Sequence, residues 1–260
     1  MVACPAEAGA GVSGTVLVVN PNTSASVTQL LHEQVQRETG AEWRVRAVTA
    51  RFGARYIADE AGYAVAAHAT LDAWAAALAA PGPAPDAVLV GCFGDPGLLA
   101  LRESSPAPVS GLAEAAFIEA ARHGRFAVVT GGARWAPMLQ RLAQALGFGE
   151  ALAGIHTVLP AGAQLLADPA AARTLLTEAC RAAATRFHAD AVILGGAALT
   201  GFAAHVAPRL DRPLIDSVQA GARWVLLAQP LALGRERPGF DVAWDHVAPE
   251  LAALGLRPRD

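Results

Sequence analysis

No position of the 260-residue chain holds lysine, so all 20 Lys+Arg residues are arginine. That excludes a lysine Schiff base, the pyridoxal phosphate chemistry built on one, and the lysine of a phosphate-binding P-loop. Cysteine is scarce and widely spaced. Cys4, Cys92 and Cys180 form no C-x-x-C pair, which leaves no dithiol or zinc centre and fits a reducing compartment. The seven histidines (His32, His68, His123, His156, His188, His205, His246) show no metal-ligand spacing, so no metal is expected. There is no G-x-S-x-G elbow, and no G-x-G-x-x-G follows the first apolar run, which argues against serine hydrolase and dinucleotide chemistry. A formal charge of −3 gives no general attraction to nucleic acid or anionic membrane. The opening residues 1–14 lack the basic start and apolar core of a secretory signal and read as a loose tail. The uncharged stretch Ala151–Ala167 is broken by Gly154, Pro160 and Gly162 and does not read as a membrane span. A cytoplasmic protein acting on a small molecule is expected.

A hydrophobic share of 53% against 17% charged residues is ample for a core. Short, continuously apolar runs at Thr15–Asn20, Ala87–Gly91, Phe126–Thr130 and Ala191–Gly195 read as parallel strands covered on both faces. Trp43–Val48 reads as another strand. Alanine-rich segments at Tyr63–Ala80, Leu112–His123, Trp135–Ala145 and Pro169–Phe187 read as the helices between strands. The alternation predicts an α/β fold with ligands at the carboxyl ends of the strands. The run Asp86–Asp95 is echoed by Asp190–Leu199, which aligns Asp86 with Asp190, Gly91 with Gly195, and Cys92 with Gly196. Pro108-Val109-Ser110-Gly111 begins 16 residues after Cys92, and Pro213-Leu214-Ile215-Asp216 begins 17 after Gly196. The repeat predicts two pseudo-symmetric Rossmann-like lobes with parallel sheets and a site in the cleft between them. The first lobe would hold residues 15–111 with 218–260, and the second residues 112–217.

Four strand-end loops would line that cleft. In Asn20-Pro21-Asn22-Thr23-Ser24, Thr23 or Ser24 can cap the next helix, and both asparagine amides can donate to and accept from a ureide. In Gly91-Cys92-Phe93-Gly94-Asp95-Pro96-Gly97, Asp95 and Pro96 read as a helix start. Cys92 would then precede a helix amino end, whose positive potential favours thiolate below the ordinary thiol pKa of roughly 8.5. Thr130-Gly131-Gly132 offers a hydroxyl and amides, and Gly195–Thr200 offers only the hydroxyl of Thr200. Cys4 and Cys180 lie in no reactive turn, and Arg51–Arg55 reads as a surface loop.

Taken together, VLVVNPNTS at 16–24, GARYI at 53–57, VGCFGDPGL at 90–98, VVTGGARWAPML at 128–139, VILGGAALTG at 192–201 and PLIDSV at 213–218 resemble the aspartate/glutamate/hydantoin racemase superfamily, and within it the hydantoin and allantoin racemases. The resemblance implies a cofactor-independent isomerase that moves a proton at a carbon α to a carbonyl, and a homo-oligomer. It implies that Cys92 is one of two opposed cysteines. The usual second pattern, leucine-glycine-cysteine, here reads Leu194-Gly195-Gly196. Asn20, Asn22, Phe93, Gly94, Thr130, Gly131, Gly196, Ala197 and Thr200 would hold the substrate and its enolate oxygens. The missing thiol leaves two alternatives open, a one-sided decarboxylase resembling arylmalonate decarboxylase and a family member that only binds a metabolite.

Overall fold

The computed structural model describes residues 14–159, 168–227 and 243–255. The leading tail with Cys4, residues 160–167 of the uncharged stretch, and residues 228–242 and 256–260 lie outside them.

The first sheet contains strands β1 (Gly14–Asn20), β2 (Trp43–Thr49), β3 (Ala87–Val90) and β4 (Val109–Gly111), all parallel, in the order β2-β1-β3-β4. Helices α1 (Ala25–Thr39), α2 (Glu60–Ala79), α3 (Leu98–Ser104) and α4 (Leu112–Ala121) follow these strands in turn. The second sheet repeats the arrangement as β6-β5-β7-β8, from β5 (Phe126–Gly131), β6 (Leu152–Val158), β7 (Ala191–Gly195) and β8 (Leu214–Asp216). Helices α5 (Trp135–Ala145), α6 (Pro169–Arg186), the short α7 (Ala203–Val206) and α8 (Ser217–Leu227) follow these strands in turn. Helix α8 packs back against α1 and α4, and α9 (Pro249–Leu254) lies on α2. No described helix is long and apolar enough to cross a membrane.

The central strands of both sheets are buried at every position, because helices cover both faces and only continuously apolar sequence suits that setting. The repeated aspartates have a structural task at the amino ends of the strands. Asp86 Oδ2 accepts from the Thr15 amide at 2.7 Å, and Asp190 Oδ2 accepts from the Arg125 amide at 2.9 Å. Each lobe thus pins its first strand to its third at the edge away from the carboxyl ends. One apolar cluster runs through both lobes, including Leu89 and Leu112 on one side and Phe126 and Ile193 on the other. At its middle Phe117 of α4 stacks on Phe126 with centroids 5.4 Å apart and meets Phe93 edge-on at 6.2 Å. Phe93, beside Cys92, is therefore anchored to the shared core.

Candidate active site

Strand-end loops from both sheets enclose one small cavity of about 60 Å³. Cys92 and Phe93 follow β3, Asn22 follows β1, Thr130 and Gly131 end β5, and Gly196 and Ala197 follow β7, and all of them line it. The parallel register puts Thr130 beside Gly195, so the ends of β5 and β7 form one wall. Cys92 and Gly196, aligned by the repeat, face the same space.

Three residues singled out from the sequence are not on the cavity wall. Asn20 is fully buried behind it, where its Nδ2 donates to Asn22 Oδ1 (3.1 Å), Thr28 Oγ1 (2.9 Å) and the Ser24 carbonyl (3.2 Å). A closed set of local partners leaves its amide nothing for a substrate, so it shapes the loop that presents Asn22. The Gly94 carbonyl accepts from the Tyr63 hydroxyl at 2.9 Å. The Thr200 hydroxyl is buried with no hydrogen-bond partner among the described residues, outside the lining. The expected helix cap also differs, since Ser24 stands at the N-cap of α1 without a side-chain bond to a helix backbone amide, its hydroxyl meeting that of Ser26 at 3.0 Å. Its amide instead donates to Asn22 Oδ1 at 2.9 Å, so the asparagine organises the turn.

The segment after Cys92 departs from the sequence expectation in a way that changes the chemistry. No helix begins at Asp95-Pro96. Asp95 adopts φ 52°, the chain makes a further turn, and α3 starts only at Leu98 after Gly97. The turn aims the Asp95 carboxylate at another helix, where its oxygens accept from the amides of Ala113 (2.9 Å) and Glu114 (2.8 Å) at the start of α4. Gly111, the N-cap of α4, has no side chain to do this. A Cβ there would lie 2.1 Å from the Asp95 carboxyl carbon, so glycine is what lets Asp95 in. Burial pushes Asp95 up to about 7, against the pull of the Ala113 and Glu114 amides.

Cys92 is therefore not at a helix amino end, and it is 8% exposed. Burial first, and the neighbouring Asp95 second, push its thiol well above the ordinary value, so it rests as the thiol. The histidines remain at or near the surface, and no group of three potential ligands holds a metal among the described residues. Cys180 is buried within α6 in the second lobe's core. Arg51 is engaged with Asp72 (2.7 Å) and Glu250 (3.1 Å), away from the cavity.

Sequence reasoning missed the residues that close the cavity from the side. Tyr56, Ile57 and Trp135 line it. The Tyr56 hydroxyl crosses from the first lobe to donate to the Gly131 carbonyl at 3.2 Å, and the Trp135 indole N–H crosses back to the Ile57 carbonyl at 3.1 Å. Outside them Arg134 pairs with Asp59 and Arg141 with Glu60. The one signal for this seam was the GARYI segment itself, whose aromatic residue follows a loop at a strand's carboxyl end. On the far wall Gly196 has φ 140°, a backbone state that residues with side chains rarely adopt, and its amide donates to Ser217 Oγ at 3.2 Å.

The Asp/Glu/Hydantoin racemase family model matches residues 16–225. A hydantoin racemase of Paenarthrobacter aurescens is 30% identical over 210 residues, covering 80% of this chain and 88% of that protein. The structure of an allantoin racemase from Klebsiella pneumoniae matches with a TM-score of 0.77 at 29% identity, covering 83% of this chain and 87% of that one. Arylmalonate decarboxylase shares the fold, at a TM-score of 0.54 and 18% identity over 86% of this chain and 96% of its own.

Proposed function

The chain belongs to the Asp/Glu/hydantoin racemase family, and from that premise we propose that it is a cofactor-independent isomerase of the hydantoin racemase type, moving a proton at the carbon α to a carbonyl of a small hydantoin, ureide or amino-acid-like substrate. The observation that carries this reading is the cavity itself: the thiol of Cys92 opens into a space of about 60 Å³ built from both lobes. A cavity of that size suits a compact compound.

Cys92 carries the proton on the first-lobe side. As thiolate it takes the α-hydrogen, and as thiol it returns one to the carbanion. Because burial favours the thiol, removing the α-hydrogen requires the sulfur first to lose its own proton, and the rate rises toward alkaline pH. The enolate oxygen needs preorganised donors. The Asn22 side-chain N–H and the amide of Phe93, which no described residue accepts, are the candidates. Thr130, Gly131, Gly196 and Ala197 shape the opposite wall, while Asn20, Gly94 and Thr200 support the loops from behind. Cytoplasmic location, read from the sparse cysteines, and a homo-oligomeric state, taken from the family, are part of the same reading.

The second reading is a one-sided lyase, and the observation favouring it is the absence of a side chain on Gly196 opposite the thiol. A panel of optically pure 5-substituted hydantoins and allantoin, followed by chiral chromatography in deuterium oxide, separates the two. Loss of optical purity with deuterium at the α-carbon is the expected result. Deuterium uptake without inversion, or release of carbon dioxide from a malonate-type substrate alone, overturns the racemase.

A further inference from the structure

A thiol on one wall and a bare glycine on the other leave inversion without a second proton carrier, and the cavity holds one other side chain with an acidic proton. Tyr56 belongs to the first lobe by sequence, yet its hydroxyl reaches the Gly131 carbonyl, 3.2 Å away, at the carboxyl end of β5. Thr130 of β5 is in register with Gly195 of β7, and Gly131 and Gly196, the residues that follow, both line the cavity. The hydroxyl is thus held on the second-lobe wall, the wall that also carries the position lacking a side chain. Tyr56 is 43% exposed over the whole residue, while its hydroxyl end is tucked against that wall.

Resting on the racemase reading above, we propose that Tyr56 is the second proton carrier, delivering to and taking from the face of the α-carbon opposite Cys92.

In one direction the Cys92 thiolate takes the α-hydrogen. The C–H bond breaks, its electron pair passes into the enolate, and an S–H bond forms. The Tyr56 O–H then breaks, its proton bonds to the opposite face of the carbon as the enolate pair returns, and a phenolate remains. The other enantiomer runs the same steps backwards, from phenolate and thiol to phenol and thiolate, so one proton is shared between the pair and no electrons change hands. Burial, and the proximity of Cys92, hold the proton on Tyr56 until the enolate draws it off. A phenol on a loop that crosses the cleft does here what a side chain at Gly196 would do from the wall itself.

The test is Tyr56→Phe, which keeps the ring and removes only the hydroxyl. Two rates are followed on a substrate that the native protein racemises: inversion by chiral chromatography, and α-deuterium uptake by NMR. The expected result is inversion reduced at least a hundredfold, with deuterium uptake at retained configuration surviving within about tenfold for the enantiomer whose hydrogen faces Cys92. Surviving exchange also shows that the variant is folded. Inversion within threefold of the native rate overturns the proposal, and so does equal loss of both rates in a variant with native circular dichroism, since Tyr56 would then serve binding. Failure of the functional reading shows elsewhere, in a native protein that neither inverts nor exchanges any substrate of the panel.

Discussion

The loops after β3 and β7 occupy equivalent places in the two lobes, and they have diverged in what they present while keeping what they support. In both lobes the helix after the fourth strand begins under a buried carboxylate. In the second lobe the carboxylate is Asp216, the last residue of β8, whose Oδ1 accepts from the amides of Val218 (2.8 Å) and Gln219 (3.2 Å). In the first lobe that position is Gly111, and Asp95 supplies the carboxylate from the Cys92 loop. The cap has been kept and its source moved. This ties the cysteine loop to α4, fixing Cys92 through a bond three residues away, whereas the Gly196 loop is held by the Gly196 amide on Ser217 Oγ and the Gly201 amide on Asp216. One loop is braced around Cys92, and the other takes a conformation suited to glycine.

The largest expected effect in breaking this comparison is on the sulfur. Cys92→Ala lowers turnover by about 10²–10⁴-fold, and Cys180→Ala leaves it unchanged, as steady-state assays on both variants will show. Next is the exchanged cap. Gly111→Ala drives a methyl into the Asp95 carboxylate and uncaps α4, lowering unfolding free energy by ~2–4 kcal/mol in urea titrations. The double variant Gly111→Asp with Asp95→Gly moves the carboxylate to the end of the fourth strand, where the second lobe has it, and recovers most of that stability; no recovery would mean the two caps are not equivalent. The smallest effect is at Gly196. Its Cβ would meet nothing closer than Leu199 Cγ at 3.5 Å, so Gly196→Ala is costly only through backbone strain, ~1–3 kcal/mol. A variant as stable as the native chain would show that this loop relaxes freely.

The central strands were legible because burial on both faces demands an unbroken apolar run, and the repeat was legible because each lobe solves the same packing problem. Cys92 stood out for the glycines around it and its strand-end setting. The rest depended on contacts remote in sequence. β6 is an edge strand with a half-exposed middle, so its LAGIHTV pattern lacks a continuous apolar run. β4 and β8 are three residues each, too short for periodicity. Asp95-Pro96 carries the local signature of a helix start, yet the competing target at α4 lies 18 residues on and is open only because Gly111 is bare. Tyr56 escaped because its contact reaches the other lobe, and Asn20 was over-read because its amide is taken up by Asn22, Ser24 and Thr28.

On the proposed reading, the sulfur of Cys92 moves hydrogen at a carbon held between the two lobes. The direct measurement is α-deuterium uptake from deuterium oxide by an optically pure hydantoin, comparing the native protein with Cys92→Ala by NMR. The expected result is uptake by the native protein, with uptake from the Cys92-facing side abolished in the variant. Uptake at the native rate from both sides in a folded Cys92→Ala protein would contradict it.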